Sequence, residues 1–182
     1  MKKYLALDIS TSHVGICIAD ESDKILYFDS IDFTKLGEQT IYEKAVFVRV
    51  KMRELVDKYG PFETIYIEKA TLMFQEGKSR IQVIVLLQQF SALCQFVLME
   101  LGVKVEEIHP ATAMKAALGV GRKPAWVTDK KSWTAKKFEE RHPEIELKRF
   151  SKGVREGEIH SNEYDKIDAW MVLQAHKIKG KK

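Results

Sequence analysis

Three consecutive segments with a two-residue period, followed by helix-period segments alternating with short β-rich runs, restrict this 182-residue chain to a mixed α/β sheet flanked by helices. Residues 4–9 alternate like a strand, and 14–19 and 24–33 follow as two more, separated by short polar turns as in an antiparallel meander. From 39 to 59, Ile41, Ala45, Val48, Met52, Leu55, Val56 and Tyr59 recur at helical spacing, and Gly60-Pro61 ends that run. Residues 64–68 make a fourth strand and 103–108 a fifth, so the sheet is expected to have five strands. Between them, 79–101 is a long helix, apolar on nearly every side, which must be covered on more than one side. In so small a protein a subunit partner is a natural cover. Pro110 opens a short helix through Leu118, 119–124 is a loop, 129–141 is helical and 142–159 irregular. Asn162 is expected to cap a last helix running through Lys177.

That order has no internal repeat and no Pro/Gly-rich linker, so residues 1–182 read as a single domain. No signal peptide is expected, since Met1-Lys2-Lys3 runs directly into a strand. No apolar stretch is expected to be both long and charge-free enough to span a bilayer. Cys17 and Cys94 lie in apolar runs and read as reduced core thiols, the usage of a cytoplasmic protein.

The net charge of +4 is unevenly spread. Residues 119–155 carry eleven Lys/Arg against five Asp/Glu, a local +6 that leaves the rest of the chain at −2. Trp126, Trp133, Phe138 and Phe150 are interleaved with those cations. Cations among flat rings suit a phosphate backbone with bases to stack on, whereas the plain alternative is a solvated helix face with a few core aromatics.

Acids stand where a fold would rather have apolar residues. Asp8 interrupts the first strand between Leu7 and Ile9, and Glu68 closes the fourth after Ile65 and Ile67. Asp165 and Asp168, at i and i+3, project from one face of the last helix. Each has an ordinary reading: a strand-end turn for Asp8, an ion pair with Lys69 for Glu68, a helix-dipole partner for Asp165. Asp168 is harder to explain so, because Ile167, Ala169 and Trp170 surround it. If strands one and four are neighbours and the last helix packs on them, four carboxylates converge. Their mutual repulsion calls for a hard cation, and carboxylates with water and phosphate suit Mg²⁺ or Mn²⁺. No Ser/His/Asp or Cys/His set offers a protein nucleophile.

The motifs resemble those of RuvC-type Holliday junction resolvases. Leu5-Ala6-Leu7-Asp8-Ile9-Ser10 with Gly15 beyond it is similar to that family's first motif. Ile65-Tyr66-Ile67-Glu68 is similar to the second, and Asp165-Lys166-Ile167-Asp168-Ala169 to the third. Gln88/Gln89, residues 103–110, Lys115, Gly119-Val120-Gly121 and Lys123 extend the likeness. The resemblance implies an RNase H-like fold, and two Mg²⁺ ions (Mn²⁺ substituting) held by Asp8, Glu68, Asp165 and Asp168. It further implies a homodimer through the helix at 79–101, and paired symmetric nicks in a four-way DNA junction. Lys115, Arg122 and Lys123 are candidates for holding backbone phosphate, and Phe74, with Lys78 and Arg80 nearby, for stacking on a base. The family's wedge residue stands closer to the Glu than Phe74 does, and 123–165 is longer than the family pattern. His13 reads as a solvated turn residue. The expected location is cytoplasmic, or wherever the DNA is, with no membrane partner.

Three other readings fit part of the pattern. Another RNase H-like nuclease, acting on RNA–DNA hybrids or flaps, would need the same acids. An actin- or sugar-kinase-type ATPase shares the look of residues 8–15 but needs a duplicated domain. A non-catalytic DNA-binding module would gain nothing from four acids that repel phosphate.

Overall fold

The computed structural model describes residues 1–70 and 81–179. Its centre is a five-stranded sheet of order β3-β2-β1-β4-β5. The strands are β1 (Lys3–Ile9), β2 (His13–Asp20), β3 (Ile25–Asp32), β4 (Thr64–Glu68) and β5 (Val105–Ile108). β1, β2 and β3 form the expected antiparallel meander, while β4 runs parallel to β1 and β5 parallel to β4. The helices are α1 (Ile41–Tyr59), α2 (Ile81–Met99), α3 (Pro110–Leu118), α4 (Lys130–Arg141), α5 (Ser161–Leu173) and the short α6 (His176–Lys179).

The two-residue period of the strands sorts the core into two layers. Leu5, Leu7, Ile9, Ile65 and Ile67 face Val48, Met52 and Leu55 of α1 and Phe90, Cys94 and Leu98 of α2. The alternate residues, Ala6, Cys17, Ala19 and Tyr66, face α3, α4 and α5, where Trp170 and Phe138 are fully buried. Small residues on this second face form a trough in which α5 lies close to β1 and β2. Gly15 is the tightest point: a Cβ there would fall 2.0 Å from the Asp165 carbonyl oxygen. Both cysteines are free and buried, as expected.

Three local expectations are corrected. α5 begins at Ser161 with His160, not Asn162, at the cap position, and ends at Leu173. Glu163, in its first turn, is buried and paired with Lys166 at 2.6 Å, while the His160 ring stacks on Phe150 at 4.1 Å. These contacts start the helix earlier than a cap rule alone would. His13 is no solvated turn residue; it opens β2 and is half-buried. Finally, α2 is by length and composition long and apolar enough to cross a membrane, contrary to the expectation that no stretch would be. Phe90, Ser91, Cys94, Val97 and Leu98 bury one side of it against the rest of the fold. Ile81, Val83, Val85, Leu86, Phe96 and Met99 remain exposed.

A candidate carboxylate site at the end of the parallel strands

β1 and β4 pair in parallel from Tyr4↔Thr64 to Leu7↔Ile67, so Asp8 and Glu68 end up side by side at the carboxyl ends of the two strands. Counting in twos from Ala6 and Tyr66, both acids point to the α5 side. α5 packs on β1, β2 and β4, and its Asp165 and Asp168 project from one face, one turn apart.

The four acids feel one another. Burial pushes the Asp8 carboxyl well above the usual carboxylate range, and the charges of Asp168, Glu68 and Asp165 push it further. Glu68 is raised to about 7, by burial first and by Asp168 second. Asp168 is raised to about 6, chiefly by burial, with Asp165 adding to it and Lys130 opposing. Asp165 is also raised by burial, opposed by His13 and Lys131. Among the described residues, no group of three or more His, Cys, Asp or Glu side chains is gathered tightly enough to hold one ion as it stands. The acids share an end of the sheet and a mutual field. A divalent cation would relieve that field, and the all-oxygen donor set suits Mg²⁺ or Mn²⁺ rather than zinc.

This electrostatic strain has a measurable sign. Carboxylates raised in the folded state hold protons that the unfolded chain, near pKa 4, has already released. Stability from Glu68 and Asp168 is therefore lost as pH rises from about 4 toward about 7. His176, held low by burial, works in the opposite sense, so the diagnostic is the Mg²⁺ increment rather than the raw slope. Thermal melts should show Mg²⁺ raising Tm more at about pH 8 than at about pH 5. An equal increment at both pH values would count against metal binding by these acids.

Three neighbours of the site carry signals the linear sequence did not reveal. His13 bridges acids from different elements, its Nε2 3.4 Å from Asp32 Oδ1 and its Nδ1 3.4 Å from Asp165 Oδ2. Lys130 and Lys131 open α4, where Asp129 caps the helix by accepting from the Lys131 N–H at 2.9 Å and from the Ser132 N–H at 3.3 Å. The Lys130 charge acts on Asp8, Glu68 and Asp168, and the Lys131 charge on Asp165 and Asp168. The helix over 129–141 is readable from the sequence; that α4 packs on α5 is not.

Of the phosphate-holding candidates, Lys115 is exposed on α3 and Arg122 is exposed in the loop after it. Lys123 donates from Nζ to the Val127 carbonyl, bracing its own loop. Phe74, Lys78 and Arg80 lie outside the described residues.

Comparison with solved structures covers nearly the whole chain. Thermus thermophilus RuvC is 14% identical with a TM-score of 0.65, over 98% of this chain and 95% of that one. T. thermophilus RuvC in complex with a Holliday junction substrate gives 11% and 0.64, over 99% and 95%. The yeast mitochondrial Holliday junction resolvase Ydc2 gives 13% and 0.56, over 96% and 77%. No protein-family model matches the sequence, and no curated protein matches it. With its mixed five-stranded sheet between helical layers, the chain has the RNase H-like fold in the form taken by RuvC.

Proposed function

We propose that this chain is a structure-selective endodeoxyribonuclease that resolves four-way DNA junctions by paired symmetric nicks. The carrying observation is that β1 and β4 run in parallel and bring Asp8 and Glu68 side by side at their carboxyl ends, under α5, which carries Asp165 and Asp168 on one face. The RuvC-like fold supports the choice of substrate. Asp8, Glu68, Asp165 and Asp168 would hold two Mg²⁺ ions, whose chemistry there would be to activate a water and stabilise the leaving oxygen of phosphodiester hydrolysis. Lys130 and Lys131 draw the strand toward an otherwise repulsive acidic centre, with Lys115, Arg122 and Lys123 holding phosphate farther along. His13 fixes the Asp165 carboxylate from outside the cluster. Residues 1–182 act as one domain, located wherever the DNA is.

The working unit is a homodimer, because two opposed strands must be cut and the exposed apolar residues of α2 need a cover. Leu86→Glu and Phe96→Glu, both at exposed positions, are expected to give a folded monomer by light scattering that nicks junctions singly. A variant that remains dimeric would move the contact elsewhere.

Labelled four-way junction, linear duplex, flap and RNA–DNA hybrid, each with Mg²⁺ or EDTA, test the reading. Paired nicks confined to the junction and dependent on Mg²⁺ support it. Cutting of the hybrid or the flap instead keeps the metal chemistry and replaces the substrate. No metal-dependent cutting of any of them overturns the nuclease assignment.

A further inference from the structure

The aromatic residues of the basic stretch do not share one fate. Phe138 is core, fully buried and stacked on Phe28 at 4.7 Å. Phe150 lies between His160 and the Arg155 guanidinium, 4.3 Å from its ring. Trp126 is 76% exposed. A large indole left in water forgoes the burial that drives folding, so a display of this kind asks for an explanation.

The display is built. Val127, the next residue, is buried at 4% exposure, and its N–H donates to the Pro124 carbonyl at 3.0 Å. Lys123 donates to the Val127 carbonyl and closes the turn from the other side. Trp133 meets Trp126 edge to face, with ring centroids 6.4 Å apart at 87°. Trp133 lies on α4 three residues after Lys130, hence on the same side of the helix, about 5–6 Å away between Cβ atoms. Trp126 is four residues before Lys130, within about 14 Å along even a fully extended chain. The indole pair therefore belongs to the same short stretch as Lys130, whose charge acts on Asp8, Glu68 and Asp168, and Arg122, Lys123, Lys130 and Lys131 of that stretch are exposed.

We infer that Trp126, backed by Trp133, is a stacking platform for an unpaired nucleobase of the DNA strand that enters the carboxylate site. The surrounding cations take the phosphates on either side of that base, and the ring takes its face. At roughly 3.4 Å per nucleotide, the platform is no more than about four steps from the phosphate held near Lys130. A continuous duplex keeps its base faces covered by stacking, so the platform favours DNA with opened bases, as at a branch point. The identity of the strand rests on the nuclease reading; the stacking itself does not.

The test is binding, in EDTA so that nothing is cut, by full-length protein. The probes are a four-way junction with 2-aminopurine beside the crossover, and a fully paired duplex. Trp126→Ala is expected to weaken junction binding about tenfold or more and to abolish the 2-aminopurine response. Trp126→Phe, keeping a flat ring, restores most of both. Duplex affinity and the slope of log K against log salt stay as in wild type, because no phosphate contact is lost. Melting checks that the fold is intact. Unchanged junction binding by Trp126→Ala, an equal loss on duplex, or failure of Phe to rescue overturns the platform. Failure of the nuclease reading has a separate signature, wild-type protein that cuts nothing, and leaves this binding contrast to be read on its own.

Discussion

Asp8→Asn is expected to lose Mg²⁺-dependent junction cleavage by about three orders of magnitude or more, while binding the junction at least as tightly as wild type. Asp8 is the acid on which the other three converge, since each of their charges raises its carboxyl and burial raises it most. Asn keeps the shape and cannot supply an anionic ligand, so the loss would fall on ion binding and on the water activation and leaving-group stabilisation that bound ions would supply. At about 1.4 kcal/mol per tenfold in rate, a thousandfold loss is about 4 kcal/mol, within the several kcal/mol a catalytic metal contributes. Two further results distinguish this from simple damage. Without metal the variant should melt higher than wild type near neutral pH, because a carboxyl whose ionisation is opposed in the fold by burial and by three neighbouring acids is gone. Its junction affinity in EDTA should be no weaker than that of wild type, because Asn adds no negative charge to the site that phosphate approaches. Single-turnover cleavage, melting and EDTA binding on one preparation measure all three. Cleavage retained above about a tenth of wild type would remove Asp8 from the chemistry.

Much of the placement of these candidate acids is legible in local chemistry because they break local rules. An ionisable residue between Leu7 and Ile9 has no reason to be there as a strand residue, and Asp168 among Ile167, Ala169 and Trp170 is equally out of place. The period of two then predicts which face Asp8 and Glu68 share, and the helical i, i+3 spacing predicts that Asp165 and Asp168 go together. What escaped the sequence depends on contacts between distant segments. His13 touches Asp32 and Asp165, on β3 and α5, and nothing near His13 announces either. Lys130 and Lys131 look like any solvated pair at a helix start until α4 is placed against α5. The cap at His160 was missed for a related reason: Asn162 is the better local capper, but stacking on Phe150 and the buried Glu163–Lys166 pair decide the start. In α2 the difficulty is different. A helix apolar all round has no periodic signal for its inner face, and only packing singles out Phe90, Cys94, Val97 and Leu98.

The same dependence on tertiary contact makes Gly15→Ala a larger change than one methyl group suggests. Gly15 pairs with Asp8 across the β1–β2 ladder, so it stands beside the site on the face that receives α5. A Cβ there would meet the Asp165 carbonyl oxygen at 2.0 Å, its carbon at 2.4 Å and the Lys166 nitrogen at 2.9 Å. These are backbone atoms within a helix and cannot turn aside as a side chain would. Either α5 lifts off the sheet or β2 retreats, and both open the layer packed around Trp170 and Ile167. Overpacking of this kind costs about 3 kcal/mol or more, a fall of roughly 6–12 °C in Tm for a domain of this size. Lifting α5 also carries Asp165 and Asp168 away from Asp8 and Glu68, so cleavage and the Mg²⁺ increment in Tm should fall together. Gly121→Ala is the control, because a Cβ there lies 3.5 Å from the Ala111 carbonyl oxygen, ordinary contact. It should move Tm by no more than about 2 °C. If Gly15→Ala melts with wild type and still cuts, α5 does not depend on this close approach, and the acids are held together by something other than the glycine trough.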